Sequence, residues 1–67
     1  MANKINVSQE DKDTLTSYKI EVDNYRTLSD LLDIIDEVMV SYVDEQDEPL
    51  EDFLILEKIY DRIYDAN

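Results

Sequence analysis

The strongest structural signal in the chain is the stretch TLSDLLDIIDEVMVSYV, residues 27–43. At 100° per residue, its apolar side chains fall within one arc of roughly 140°, and its acidic side chains share the other side. The apolar set is Leu28, Leu31, Leu32, Ile35, Val38, Met39 and Tyr42, and the acidic set is Asp30, Asp33, Asp36, Glu37 and Asp44. Because Thr27 and Ser29 can each cap a helix, the stretch predicts an amphipathic helix that ends near Val43.

A second amphipathic helix is predicted from Leu50 to about Asp65. Its apolar residues fill an arc of about 180°: Leu50, Phe53, Leu56, Ile59, Tyr60, Ile63 and Tyr64. Pro49 marks the start of this helix, because proline disfavours a helical residue before it and is accepted in a first turn. Two amphipathic helices joined by the short acidic segment 44–49 predict an antiparallel helical hairpin.

The N-terminal third fits two structures. As a helix, it has a capping-box pattern at Ser8 and Asp11 and an apolar stripe made by Leu15, Tyr18, Val22 and Tyr25. As a β-hairpin, residues 4–7 and 16–22 alternate and are rich in β-branched side chains, and Ile20 fits only this arrangement. We therefore predict a single all-α domain over residues 1–67, a helical hairpin or three-helix arrangement, with an α+β fold as the alternative.

The composition excludes most catalytic and cofactor chemistry. The 67 residues include no His, Cys, Gly or Trp. This removes zinc and haem ligation, disulfides, Cys and His nucleophile dyads and glycine-dependent phosphate loops. The acidic run 44–52 lacks the glycine and the alternating oxygen ligands of a calcium loop, so no metal site is predicted. The sequence predicts a protein that is not an enzyme and holds no cofactor.

Localisation is predicted from absences in the sequence. No apolar run approaches the ~18 residues of a membrane span, and the chain has neither cysteine nor an apolar leader. A lack of cysteine is typical of a reducing compartment. We expect a cytoplasmic protein of a bacterial or phage-infected cell, with no membrane contact.

The charge is concentrated in the second part of the chain. Of the net charge of −12, residues 28–67 carry −11, and no basic residue occurs from Thr27 through Glu57. Direct nucleic-acid binding is excluded, because phosphate recognition needs positive charge. A row of carboxylates instead resembles a nucleic-acid backbone and attracts proteins with a basic groove. The predicted partner-binding residues are Asp30, Asp33, Asp36, Glu37, Asp44, Glu45, Asp47, Glu48, Glu51 and Asp52.

Two other hypotheses explain the same sequence. The acidic face can serve solubility alone, while the helical hairpin acts as a structural or adaptor module that docks on a partner helix. In that case the apolar residues outside the predicted arcs, Ile34, Val40 and Ile55, provide the contact. These residues and the small core also predict a homodimer. The tyrosines fall mostly on the apolar arcs and are expected in the core.

The two ends of the chain resemble a known family. Val7-Ser8-Gln9-Glu10-Asp11 and Ile59-Tyr60-Asp61-Arg62-Ile63-Tyr64-Asp65 are similar to the corresponding ends of the AbbA-type antirepressors, small acidic helical proteins of spore-forming bacteria. The resemblance implies a dimeric helical protein that blocks a transcription regulator by occupying its DNA-binding surface. The middle of the chain does not follow the family. Phage-encoded anti-defence proteins are similar in general character.

Overall fold

The computed structural model describes residues 5–67 and is built from three α-helices. These are α1 (Gln9–Ser17), α2 (Leu28–Met39) and α3 (Glu51–Ala66), with one 3-10 turn at Val22–Asn24. Within residues 5–67 there is no β-strand, and the one β-pairing is an isolated bridge between Val43 and Pro49. The predicted all-α fold is therefore confirmed.

Helices α2 and α3 form the predicted hairpin and supply most of the core. The Thr27 hydroxyl caps α2 by accepting a hydrogen bond from the backbone N–H of Asp30 at 3.1 Å. The helix ends at Met39, before the predicted Val43, because Ser41 and Tyr42 already make the tighter hydrogen bonds of a turn, to Val38 and Met39. The core residues of the two helices are Leu31, Leu32, Ile35, Met39, Leu56, Ile59 and Ile63.

The connection between α2 and α3 is a small hydrogen-bonded loop. The N–H of Asp44 donates to the carbonyl of Glu48, and the N–H of Leu50 donates to the carbonyl of Tyr42. These two bonds lie on either side of the Val43–Pro49 bridge. Proline is accepted at this bridge because the N–H donors belong to Asp44 and Leu50, so the missing N–H of Pro49 is not needed. Pro49 thus precedes α3, which begins at Glu51 with Leu50 as its N-cap, and the predicted break with a new helix start after it is confirmed.

Helix α1 lies antiparallel to α3. Near its start, Asp11 binds Arg62 in the last third of α3, and just after its end, Tyr18 donates to Asp52 at the start of α3. Because α2 is also antiparallel to α3, the chain between α1 and α2 has to run back along the bundle. Residues 18–27 make this return, and Ile20 and Val22 are buried in it.

The helix predicted through the N-terminal third ends early. After Ser17 the N–H of Ile20 donates to the carbonyl of Leu15, and the N–H of Lys19 donates to that of Thr16. These are the two bonds of a Schellman cap, with Lys19 in the left-handed region at φ 64°. The cap turns Ile20 into the core, where it is 1% exposed. The helix predicted for this segment is therefore confirmed over Gln9–Ser17 with Ser8 as its N-cap, but its continuation to Tyr25 is wrong. The β-hairpin alternative is wrong for the described residues, and residue 4 of its first strand lies outside them.

Replacing Lys19 by glycine is expected to stabilise the protein by about 0.5–1 kcal/mol. A non-glycine residue in the left-handed region costs roughly 1–2 kcal/mol, which exceeds the extra entropy that glycine loses on folding. Urea denaturation of Lys19→Gly measures the change. The matched control is Lys12→Gly, which places glycine inside α1 and should lose about 1 kcal/mol. If both variants lost the same amount of unfolding free energy, the Schellman cap at Lys19 would be contradicted.

The two ends of the described chain are joined by paired asparagines. The N–H of Asn6 donates to the Asn67 side-chain oxygen at 2.9 Å, and the Asn67 amide donates back to the carbonyl of Asn6 at 3.1 Å. Asn67 also donates to the carbonyl of Ile63 at 2.7 Å, which satisfies part of the C-terminal end of α3. The segment before α1 is thereby fixed along the last turn of α3.

Candidate partner-binding surface

Four carboxylates form an exposed face on α2. Asp30, Asp33, Asp36 and Glu37, which we call the α2 face, are all exposed. Within residues 5–67 their side chains make no hydrogen bond, and the one ion pair is Arg62–Asp11. The α2 face is therefore a row of helix-borne charges that have no hydrogen-bond or ion-pair partner among residues 5–67.

Three members of the α2 face, Asp33, Asp36 and Glu37, cost the protein stability, whereas Asp30 lies in the first turn of α2, where an acid is favoured. Asp33 and Glu37 are four residues apart, and like charges at this spacing repel by a few tenths of a kcal/mol. Asp36 and Glu37 lie near the C-terminal end of α2, where the helix dipole is negative and a cation is favoured. The last turn of α2 contains no basic residue. These carboxylates weaken the helix that carries them, so their positions are not explained by folding.

The acids of the loop after α2 divide into structural and exposed groups. Asp44 is half-buried, and its Oδ1 accepts hydrogen bonds from the backbone N–H groups of Gln46 at 2.8 Å and Glu48 at 2.9 Å. Asp44 thus holds the loop in shape. The acids that remain exposed at the tip of the loop are Glu45, Asp47 and Glu48.

The last two predicted partner-binding residues lie in the first turn of α3. Glu51 is exposed and Asp52 is half-buried, and both favour the positive end of the helix dipole. Asp52 accepts the Tyr18 hydroxyl at 2.5 Å, and the Tyr18 ring packs edge-on against Tyr42 at 5.6 Å. The hydrogen bond to Asp52, together with burial, raises the pKa of Tyr18 to about 12. Asp52 therefore has an intramolecular role that joins α1 to α3.

The Tyr18–Asp52 pair predicts a loss of stability at alkaline pH. Because the folded-state pKa is raised, the stabilisation is complete below the unfolded value of 10.0 and is lost as the pH rises to about 12. Tyr18→Phe should cost about 1–2 kcal/mol at pH 8. This difference from the wild type should shrink towards zero between pH 10 and 12. Urea denaturation across this range measures it, and a difference that stays constant to pH 12 would count against the pair.

The apolar residues assigned to a partner are mostly used by the monomer. Ile34 and Ile55 are half-buried and pack against the core, so the expectation that they project free apolar surface is wrong. Val40 does project, with 54% of its surface exposed. The homodimer stays a prediction, now resting on one of the three residues that suggested it.

The Asp11–Arg62 pair lies between two surface grooves. Arg62 Nη2 and Nε donate to the two Asp11 oxygens at 2.7 and 3.1 Å, and this raises the pKa of Arg62 above its ordinary value. The larger groove, about 450 Å³, is lined by Asp11, Arg62, Ser8 and neighbouring residues. The Ser8 hydroxyl caps α1 by accepting from the N–H of Asp11, but the Asp11 carboxylate accepts from Arg62 instead of reaching back to the N–H of Ser8 as a reciprocal capping box predicts. The hydrogen-bonded pair of Asp11 and Arg62 thus holds α1 against α3.

The sequence pattern did not indicate a second exposed surface, on α3. Leu50 and Tyr64 were assigned to the apolar arc that faces the core, but they are 42% and 63% exposed, and Leu54 is 46% exposed. The arc assignment of Leu50 and Tyr64 is wrong, because both lie at its edges while the buried side is centred on Leu56, Ile59 and Ile63. The signal that was available is the spacing of these three residues, because Leu54 lies four residues after Leu50 and Tyr64 ten residues after Leu54, which keeps them on one side of a helix.

Comparisons with protein-family models, with curated proteins and with solved structures found no match to this chain. The resemblance of the chain ends to the AbbA-type antirepressors therefore stays a prediction. Among residues 5–67, no helix is both long and apolar enough to cross a membrane. Within the same range, no group of three or more acidic side chains is placed to hold a metal ion.

Proposed function

We propose that the protein is a non-enzymatic inhibitor that mimics nucleic acid. Its α2 face and the exposed loop acids occupy the basic nucleic-acid-binding surface of a partner, such as a transcription regulator or a phage-defence nuclease. It acts in the cytoplasm of a bacterial or phage-infected cell and needs no cofactor. The observation that carries this proposal is the α2 face, whose exposed carboxylates have no intramolecular partner within residues 5–67 and of which Asp33, Asp36 and Glu37 weaken their own helix.

The dimensions of the protein support the mimicry. Its long axis is 45 Å and its net charge is −12, so there is about one net charge per 4 Å of length. One strand of DNA has one phosphate per about 3.4 Å. The average charge per unit length is thus similar to that of one strand, with the protein's charge distributed around the bundle and not on the α2 face alone. The helical backbone adds rigidity, which lowers the entropy lost on binding.

The adaptor hypothesis is the second candidate function. It is favoured by the exposed apolar residues, which a purely electrostatic inhibitor does not need: Val40, Leu50, Leu54 and Tyr64. Ionic strength separates the two functions, because charge-driven association is screened by salt and apolar docking is not.

Affinity capture from the native host tests the proposed function. Immobilised wild-type protein and the variant Asp33→Lys/Glu37→Lys are compared as baits, and mass spectrometry identifies proteins retained by the wild type alone. The proposal expects a nucleic-acid-binding protein in that set. A set without any basic nucleic-acid-binding protein would contradict it.

The captured complex should weaken steeply with salt. We expect the dissociation constant to rise more than about tenfold between ~0.05 and ~0.5 M NaCl, since the carboxylates replace the phosphates that the partner normally binds. Calorimetric titration at several salt concentrations measures the slope. A dissociation constant that changes less than about twofold would favour the adaptor function.

A further inference from the structure

An exposed stripe runs along α3 on the side opposite the core. Three of its members are the exposed large apolar residues Leu50, Leu54 and Tyr64, none of which belongs to the core cluster. Between them lie two exposed acids, Glu57 and Asp61. The five positions are spaced four, three, four and three residues apart. We call Leu50, Leu54, Glu57, Asp61 and Tyr64 the α3 stripe.

The α3 stripe has the geometry of a helix-docking surface. A spacing of four and three residues keeps side chains on one line facing a second helix, as in coiled coils. The 15 residues from Leu50, the N-cap of α3, to Tyr64 span about 21 Å, or nearly four helical turns. Apolar side chains that lie at both ends of such a line and add nothing to the core are typical of an interface. The α3 stripe therefore fits a partner helix of about four turns.

The charges of the α3 stripe select the partner. In a pair formed by two copies of the chain through this stripe, Glu57 and Asp61 would face the same acids of the second copy, and like charges in an interface cost several kcal/mol. Lys58 borders the stripe, but the exposed side of α3 also carries Glu51 and Asp65, so its charge stays negative. A helix that presents basic side chains to Glu57 and Asp61 is complementary.

We propose that the α3 stripe docks an amphipathic helix with two central Lys or Arg residues flanked by apolar residues. Leu50 and Leu54 pack against the apolar group at one end, and Tyr64 packs against the group at the other. Glu57 and Asp61 pair with the central bases. This surface is separate from the α2 face and goes beyond the proposed function, because it binds through apolar contacts as well as charge.

Nuclear magnetic resonance with a designed peptide tests the proposal. The probe is a helical peptide with leucines at the outer heptad positions and two central lysines, added to the ¹⁵N-labelled full chain. We expect saturable shifts of the backbone amides along the α3 stripe. A control peptide with glutamates in place of the lysines should cause none. Shifts confined to α2, equal binding of both peptides, or no binding of the lysine peptide would overturn the proposal.

Matched variants separate the two surfaces. Leu54→Ser/Tyr64→Ser should weaken the lysine peptide at least about tenfold, whereas Val40→Ser, an exposed apolar residue on α2, should change it less than about twofold. Glu57→Gln/Asp61→Asn, which leaves the apolar residues in place, should also weaken it at least about tenfold. Loss of binding only in Asp33→Asn/Glu37→Gln would overturn the proposal while supporting the α2 face. Concentration-dependent shifts of the α3 stripe without peptide would show a second copy there and would also overturn it.

Discussion

Asp33→Lys/Glu37→Lys is expected to weaken partner binding at least about a hundredfold while leaving the helix content unchanged. Each carboxylate that faces a basic groove contributes about 1–3 kcal/mol, and the two new lysines add repulsion. Both residues are exposed and without an intramolecular partner within residues 5–67, so the fold should tolerate the change. The two new lysines repel each other as the acids did, but the one at position 33 lies three residues from both Asp30 and Asp36, and the one at position 37 favours the negative end of the helix dipole. Calorimetric titration against the captured partner measures the affinity, and circular dichroism measures the helix content.

A control for net charge is available in the same chain. Glu21→Lys/Asp23→Lys makes the same change in net charge in the connecting segment, where both residues are exposed. This variant should lose much less affinity, because only the long-range attraction is reduced. If the folded α2 variant binds within about threefold of the wild type, or if both variants lose affinity equally, the α2 face is not the binding surface.

Ile20→Ala is expected to cost about 3 kcal/mol of unfolding free energy. Ile20 is 1% exposed, and truncation of a buried isoleucine loses its apolar burial and leaves a cavity. A domain of 67 residues has about 3–10 kcal/mol of stability in total, so this single change removes a large part of it. Urea denaturation followed by circular dichroism measures the loss.

The matched control for Ile20→Ala is Val40→Ala. Val40 is 54% exposed, so its truncation should change the unfolding free energy by no more than about 0.5 kcal/mol. Comparison of the two variants tests where Ile20 lies. It is buried in the structure, whereas it lies on the polar side of the helix that was predicted to continue to Tyr25. A small loss for Ile20→Ala, equal to that for Val40→Ala, would mean that residues 18–22 do not return through the core.

The hairpin of α2 and α3 was predictable because its information is local. The periodicity of residues 27–43 and 50–65 and the Thr27 cap place both helices, and a short connection makes them antiparallel. Even the error at the end of α2 has a local cause, the turn after Met39. The acids of the α2 face were correctly expected to be exposed, because they lie opposite the apolar arc.

In the N-terminal third the sequence predicted the start of α1 at the Ser8 cap, but the end of α1 and the path of the chain after it were not predictable. Lys19 adopts the left-handed conformation that glycine normally provides, so the sequence has no visible stop signal after Ser17. The position of α1 depends on Asp11–Arg62, two residues 51 apart in the chain. Ile20 is buried only because this position of α1 forces the chain to return along the bundle. The periodicity of apolar residues does not predict such contacts between distant parts of the chain.

The same limit applies to the candidate site. In the sequence, Asp44 and Asp52 resemble the other acids of the run 44–52, and only the structure shows that one holds the loop and the other accepts the Tyr18 hydroxyl. The α3 stripe was hidden for a related reason. Leu50 and Tyr64 satisfy an apolar arc on α3, and their exposure depends on which side of that helix α1 and α2 cover.

Displacement of nucleic acid from the captured partner tests the central claim most directly. A fluorescent oligonucleotide is bound to the partner, and its anisotropy is followed while this protein is added at low salt. The account predicts complete displacement by the wild type, with an inhibition constant equal to its calorimetric dissociation constant, and no displacement by Asp33→Lys/Glu37→Lys. A stable ternary complex that keeps the oligonucleotide bound would contradict the claim that the α2 face occupies the nucleic-acid site.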